Sequence, residues 1–164
     1  MAERAAIAAL HASCRASGRR FWLSAAGGGA GLHSALLRVP GASSTVLACH
    51  VPYASHELEE FVGPGTISGS QCSREAAANM AEASRARAAQ GLLGLWAAGE
   101  AARPGLATGV GLTASLATTR EHRGELRAFG SVVDLERTWE LRVRLSKTDA
   151  STSTRDAQEE IVSL

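Results

Sequence analysis

The stretch Arg20-Phe21-Trp22-Leu23-Ser24-Ala25-Ala26-Gly27-Gly28-Gly29-Ala30-Gly31-Leu32-His33-Ser34-Ala35-Leu36-Leu37-Arg38-Val39-Pro40-Gly41-Ala42-Ser43-Ser44 decides the fold. An apolar run over 20–26 leads into a glycine loop over 27–31. A second apolar run follows, and Pro40 stops it, because the residue before proline is pushed out of the helical region. Strand, glycine loop and helix in that order build a site for an anion. Glycine lets the backbone approach a ligand, and the free N–H groups of the helix start face it. The loop carries little chemistry of its own. Methyl groups, Ala25 and Ala26, stand where a reactive group would be useful.

Working outward, residues 2–17 predict a helix with Ile7, Leu10 and Cys14 on its buried face, ended by Gly18. The β-branched and apolar run 45–51 predicts a strand. Ser55 predicts the cap of a short acidic helix running to Phe61. Ser73 predicts the cap of an alanine-rich helix over 74–90, and 92–102 predicts a second helical piece. Strands are predicted over 106–116 and 126–133, separated by a polar loop. In 138–145 Trp139, Leu141, Val143 and Leu145 alternate with Thr138, Glu140, Arg142 and Arg144, the period of a strand with one wet face. The short link at 134–137 predicts an antiparallel hairpin. A terminal helix follows from Arg155. The order predicts one α/β domain over 1–164, a three-layer α/β/α sandwich on a mixed, mostly parallel sheet of about five strands.

Bulk properties exclude several functions. The 164 residues carry a formal net charge of +1, with scattered arginines and 4% aromatics. That gives no electrostatic or stacking basis for DNA or RNA. No apolar run reaches membrane-spanning length. The three cysteines, Cys14, Cys49 and Cys72, are odd in number and widely spaced. They point away from a disulfide framework and toward a reducing, intracellular compartment. The Ala- and Arg-rich start faintly resembles an organelle transit segment, which would make the compartment mitochondrial rather than cytoplasmic; its reading as the first helix is the stronger one. His33 and His56 lack partners at metal-ligand spacing, so no metal is expected, and no cofactor is implied.

The ordered motifs resemble the C-terminal domain of CinA, the competence-damage-inducible protein, a family that contains nicotinamide mononucleotide amidohydrolases (deamidases). Val39-Pro40-Gly41-Ala42-Ser43 matches the end of the family's first helix. Counting back without a gap puts Gly28-Gly29 on the end of its Thr-Ala-Glu-Ser-Cys-Thr-Gly-Gly signature, Ala26 on the family serine and Ala25 on its glutamate. Val51-Pro52-Tyr53 is similar to the next motif, with Leu58 at the place of its lysine. Ser73 and Met80, Thr113, Phe129-Gly130-Ser131-Val132 and Arg155 match further points along the chain. The departures are an insertion near 91–105 and the loss of a Gly-Pro-Gly-Gly loop after Thr113.

The resemblance implies a site with Tyr53 and Thr113 retained, and Arg155, Gly28 and Gly29 placed for a nucleotide phosphate. It lacks the serine, the glutamate and the lysine. A nucleophile and its base act as a unit, so losing both argues against the same reaction. The resemblance therefore implies a pseudoenzyme: a non-catalytic binding or structural subunit, homo-oligomeric or part of a larger assembly. The alternatives are an active amidohydrolase with a rearranged site, using Ser24 or Thr113, and a regulator that binds a pyridine nucleotide without hydrolysing it. Ser24 shares the strand face of position 26, though a buried core serine is the plainer reading. Lys147 and Asp149 are candidates to replace the lost charges. Leu92, Leu93, Leu95 and Trp96 in the insertion offer either a partner surface or a longer helix layer.

Overall fold

The computed structural model describes residues 2–119, 124–149 and 152–163. The chain forms, in order, α1 (Ala2–Ser17), β1 (Arg20–Ala26), α2 (Gly31–Leu37), β2 (Val46–His50), α3 (Ser55–Val62), α4 (Arg74–Ala97), β3 (Ala107–Ser115), β4 (Arg127–Val133), β5 (Thr138–Arg144) and α5 (Arg155–Ser163). The five strands make one sheet in the order β2-β1-β3-β4-β5. β1 runs parallel to both β2 and β3, while β3-β4 and β4-β5 are antiparallel. The mixed α/β sandwich read from the sequence is the observed architecture, with two parallel and two antiparallel pairings.

Alternation along β1 divides the core between the faces. Phe21 and Leu23 pack with Ile7, Cys14 and Leu36, and Ala25 packs in the cluster of Leu112 and Val162, so one face is covered by α1, α2 and α5. Trp22 packs with Ala88 and Leu92, and Ala26 with Leu58 and Met80, so α3 and α4 cover the other. α4 sits unusually close. A Cβ on Gly109 or Gly111 of β3 would stand 1.9 Å from the Ala81 carbonyl oxygen or 2.3 Å from that of Ala77. Alanine on the helix and glycine on the strand thus bring the two backbones together. The buried stripe is Ala76, Ala77, Met80, Ala81, Ser84, Ala88 and Leu92.

Several expectations need correction. α4 is one helix through Ala97 and does not break at 90, because Leu92 extends its buried stripe one turn beyond Ala88. Residues 91–97 are therefore its last turns, with Leu93 and Trp96 exposed and Leu92 buried. On α1 the buried face is Ile7, His11 and Cys14, while Leu10 is exposed. His11 goes inside because its ring is satisfied there: Nε2 donates to the Leu36 carbonyl (3.1 Å) and Nδ1 accepts from the Thr45 hydroxyl (2.6 Å). Ser55 does not cap α3; Ala54 holds that position, and the Ser55 hydroxyl donates to Gln71 instead. Ser73 does cap α4, accepting from the Ala76 N–H at 3.1 Å.

β5 pairs as the hairpin predicts. Asp134 closes the turn by accepting from the N–H groups of Glu136 (2.8 Å) and Arg137 (2.9 Å) and pairing with Arg19. The expected dry face is only half covered: Leu145 is buried and Val143 packs against the core. Trp139 and Leu141 are 47% and 62% exposed, because on their face of the sheet no described helix packs over them.

Candidate functional site

A cleft opens at the carboxyl ends of β1 and β3. The chain leaves β1 toward β2 on one side, while β3 lies on the other, so the cleft stands where the strand order reverses. That is where open α/β sheets take their ligands. Two lobes share Gly27, Tyr53 and Arg155. The smaller, about 190 Å³, also meets Ala25, Gly28, Asp156 and Glu159. The larger, about 470 Å³, is lined by Ala26, Leu58, Thr113 and the loop of Ser70, Gln71 and Cys72, among others.

Arg155 stitches the cleft together from the first turn of α5. Its guanidinium donates to the Gly27 carbonyl (3.1 Å), the Ala117 carbonyl (3.2 Å) and the Tyr53 hydroxyl (3.4 Å). These contacts tie the end of β1 to the segment after β3. The ion pairs among the described residues do not include Arg155. Among the described residues it is the only charged side chain lining the larger lobe. Tyr53 is 67% exposed, so its ring forms the rim and its hydroxyl the wall. Thr113 is buried at the end of β3, and its hydroxyl donates to the Gln71 carbonyl at 2.7 Å.

The glycine loop is filled from within the chain. Glu159, one turn after Arg155 on α5, accepts from the N–H of Gly29 (2.9 Å) and of Gly31 (3.1 Å). The carboxylate caps α2, whose own cap residue, Ala30, has no side-chain acceptor to offer. Gly29, expected to face a ligand, thus spends its N–H on Glu159. Gly28 still lines the smaller lobe. Both glycines also answer to packing: a Cβ on Gly28 would reach Leu116 at 2.6 Å, and one on Gly29 would reach Leu112 at 2.0 Å. Nearby, burial pushes the pKa of His33 down, with the Glu159 charge opposing and His50 adding to the fall.

Ser24 is elsewhere. It is fully buried beneath α4, sharing a hydrogen bond with Ser84 (2.9 Å) and donating to the Val110 carbonyl (3.1 Å). Lys147 and Asp149 line neither lobe. Among the described residues, the titratable side chains of the larger lobe are Tyr53, Cys72 and Arg155. Burial pushes the Cys72 thiol up, against the pull of Arg127, and keeps it protonated. No described His, Asp, Glu or Lys lines this lobe to serve as a base near neutral pH.

Sequence reasoning passed over Glu159, Gln71 and Gln158. The first had a signal: it stands four residues after Arg155, on the same side of the helix. Gln71 acts through its backbone carbonyl and left no signal. Gln158 is fully buried and accepts from the Ala117 N–H at 2.7 Å, which fixes the segment Arg155 also holds.

This geometry defines an α/β/α protein with a small polar cleft at the reversal of its sheet. The fold is that of the CinA superfamily of competence-damage proteins. Along 98% of this chain and 89% of theirs, the structure superposes on the competence/damage-inducible protein CihA of Agrobacterium tumefaciens with a TM-score of 0.70 and 15% identity. A CinA-superfamily protein of Enterobacter cloacae matches with a TM-score of 0.60 and 19% identity over 93% of this chain and 82% of that one. One from Escherichia coli gives 0.59 and 16% over 85% and 75%. No family model matches the sequence, and no curated protein matches it.

Proposed function

We propose that this chain is a non-catalytic member of the CinA-like fold, a binding or structural subunit whose cleft holds a small anionic ligand without hydrolysing it. One observation carries the reading. Ala26 and Leu58, which the resemblance aligns with the lost serine and lysine, line the same lobe as Tyr53, Thr113 and Arg155. Ala25, aligned with the lost glutamate, lines the adjoining lobe. The site is thus kept in shape while its reactive groups are methyls and an isobutyl. Amide hydrolysis needs a nucleophile or activated water, a base and oxyanion donors. Here Arg155 remains as a donor, while the Gly29 and Gly31 N–H groups are taken by Glu159, and no described His, Asp, Glu or Lys lines the larger lobe as a base.

A rearranged hydrolase finds little support. Ser24 is buried away from the cleft, and the Thr113 proton is engaged by the Gln71 carbonyl. For binding, the described residues of the larger lobe supply one cation, no carboxylate and several hydroxyls, which suits the phosphate of a pyridine nucleotide. The purified chain incubated with nicotinamide mononucleotide should release no ammonia above the blank. Calorimetry with the same nucleotide should show binding that Arg155→Ala weakens about tenfold or more. Turnover that Thr113→Ala abolishes would establish the rearranged hydrolase instead.

A further inference from the structure

The opposite end of the sheet holds a cavity larger than either lobe of the cleft. At the amino ends of β1 and β3, a groove of about 730 Å³ opens on the face covered by α1 and α2. Phe21, Leu23, Val110 and Val132 form its floor. Leu10 and Leu36 stand on one wall and Trp139 on the other. Leu10 and Trp139 are both exposed, so large apolar side chains border the open space from two sides. Polar groups are few. Arg19, Asp134, Glu136 and Arg137 are the charged side chains among the described lining residues, two of each sign. Asp134 is already satisfied by Arg19 and by the N–H groups of Glu136 and Arg137. Burial pushes the Cys14 thiol up, so it stays protonated and lines the groove as a small apolar group. Ser13 and Thr108 add hydroxyls.

We infer that this groove is a binding site for an uncharged, largely apolar small molecule carrying one or two neutral hydrogen-bonding groups. Size selects a small molecule: ligand clefts run to about 300–1,000 Å³ and are lined mostly by apolar side chains with a few placed polar groups. Shape agrees, because the floor and two walls make the groove concave. Charge selects neutrality. An anion entering the groove meets Asp134 and Glu136, and a cation meets Arg19 and Arg137. Either would set its own charge over an apolar floor without net compensation from the rim, and burying an uncompensated charge is costly. A neutral ligand pays no such penalty and can bond the Thr108 or Ser13 hydroxyl. The site stands apart from the ligand reading of the cleft, which lies at the carboxyl ends of the same strands.

The test compares two dyes that share one skeleton. Phenylnaphthylamine is uncharged, and anilinonaphthalene sulfonate adds a sulfonate to it. Titrated into the full chain, the neutral dye should gain fluorescence saturably, and the sulfonate should bind about tenfold more weakly or worse. Leu10→Glu places a carboxylate on the exposed wall and should weaken the neutral dye about tenfold or more. Val132→Phe fills the floor and should weaken it as well. Leu93→Glu, at an exposed apolar position on α4, should leave it unchanged. Near- and far-ultraviolet circular dichroism shows that each variant folds. Absence of saturable binding by the neutral dye would overturn the proposal, as would equal binding of the sulfonate or binding that Leu10→Glu leaves intact. So would an affinity that falls as the chain is concentrated while the chain sediments as a dimer; that result would assign the groove to a second copy.

Discussion

Gly111 and Gly130 lie on neighbouring strands of one sheet and serve opposite circumstances. A Cβ on Gly111 would stand 2.3 Å from the Ala77 backbone, whereas one on Gly130 would meet nothing closer than Leu141 at 3.7 Å. At the first position a helix presses on the sheet. At the second, beside β5, the sheet is barely covered. The difference separates two regions with two roles. The closely packed centre, β1 with β3 beneath α4, holds the cleft, because its strand ends are fixed there by Arg155, Gln158 and Glu159. The β5 edge leaves Trp139 and Leu141 exposed.

The sharpest way to break this contrast is substitution at the two glycines. Gly111→Ala should cost about 3 kcal/mol or more, since the clash is with backbone that cannot step aside. Gly130→Ala should stay within about 0.5 kcal/mol of wild type, because alanine fits the space and suits a strand better than glycine. Urea unfolding measures both, and similar losses at the two sites would erase the distinction. Next in size is His11→Ala, expected to cost about 2–4 kcal/mol by removing a fully buried ring and the partner of the Leu36 carbonyl. Within the cleft, Glu159→Gln should cost about 1–2 kcal/mol, because a neutral amide caps α2 less well than a carboxylate accepting two N–H bonds. An unchanged urea midpoint would show that the loop does not depend on that carboxylate.

The smallest effects are those of pH, and they should fall in separate windows. Burial lowers the His33 pKa, so its neutral form favours the fold. The stability it contributes is complete above the unfolded histidine value and is lost as pH falls from there through the lower folded value. Asp134 is also lowered, first by the Glu136 N–H, then by the Arg137 N–H and Arg19. Its contribution is present above the ordinary aspartate value and disappears as pH falls through the depressed one. Urea midpoints recorded against pH should therefore lose their mildly acidic slope in His33→Leu and part of their strongly acidic slope in Asp134→Asn. Interchanged windows would contradict the assignment.

Much of this molecule was legible from residue order alone. The glycine loop between an apolar strand and a short helix, the Ser73 cap and the 134–137 hairpin all depend on neighbours within a few positions. The resemblance picked out Tyr53, Thr113 and Arg155, which the fold gathers at one cleft, and Ala25, Ala26 and Leu58, which line its two lobes. Other features escaped because they depend on distant partners. His11 is buried for the sake of Leu36 and Thr45. The outward exposure of Trp139 and Leu141 follows from where the helix layer stops, although the alternation itself resembles that of a half-buried strand.

By itself, then, the sequence determined the order of elements and the mixed sheet, since periodicity and capping are local properties. Only the tertiary structure decided that Glu159 takes the glycine loop's N–H groups, that Arg155 joins Gly27, Ala117 and Tyr53, and that β5 stands uncovered. Each of those outcomes depends on which surfaces meet across the sheet, and burial and hydrogen-bond satisfaction are settled between elements rather than along the chain.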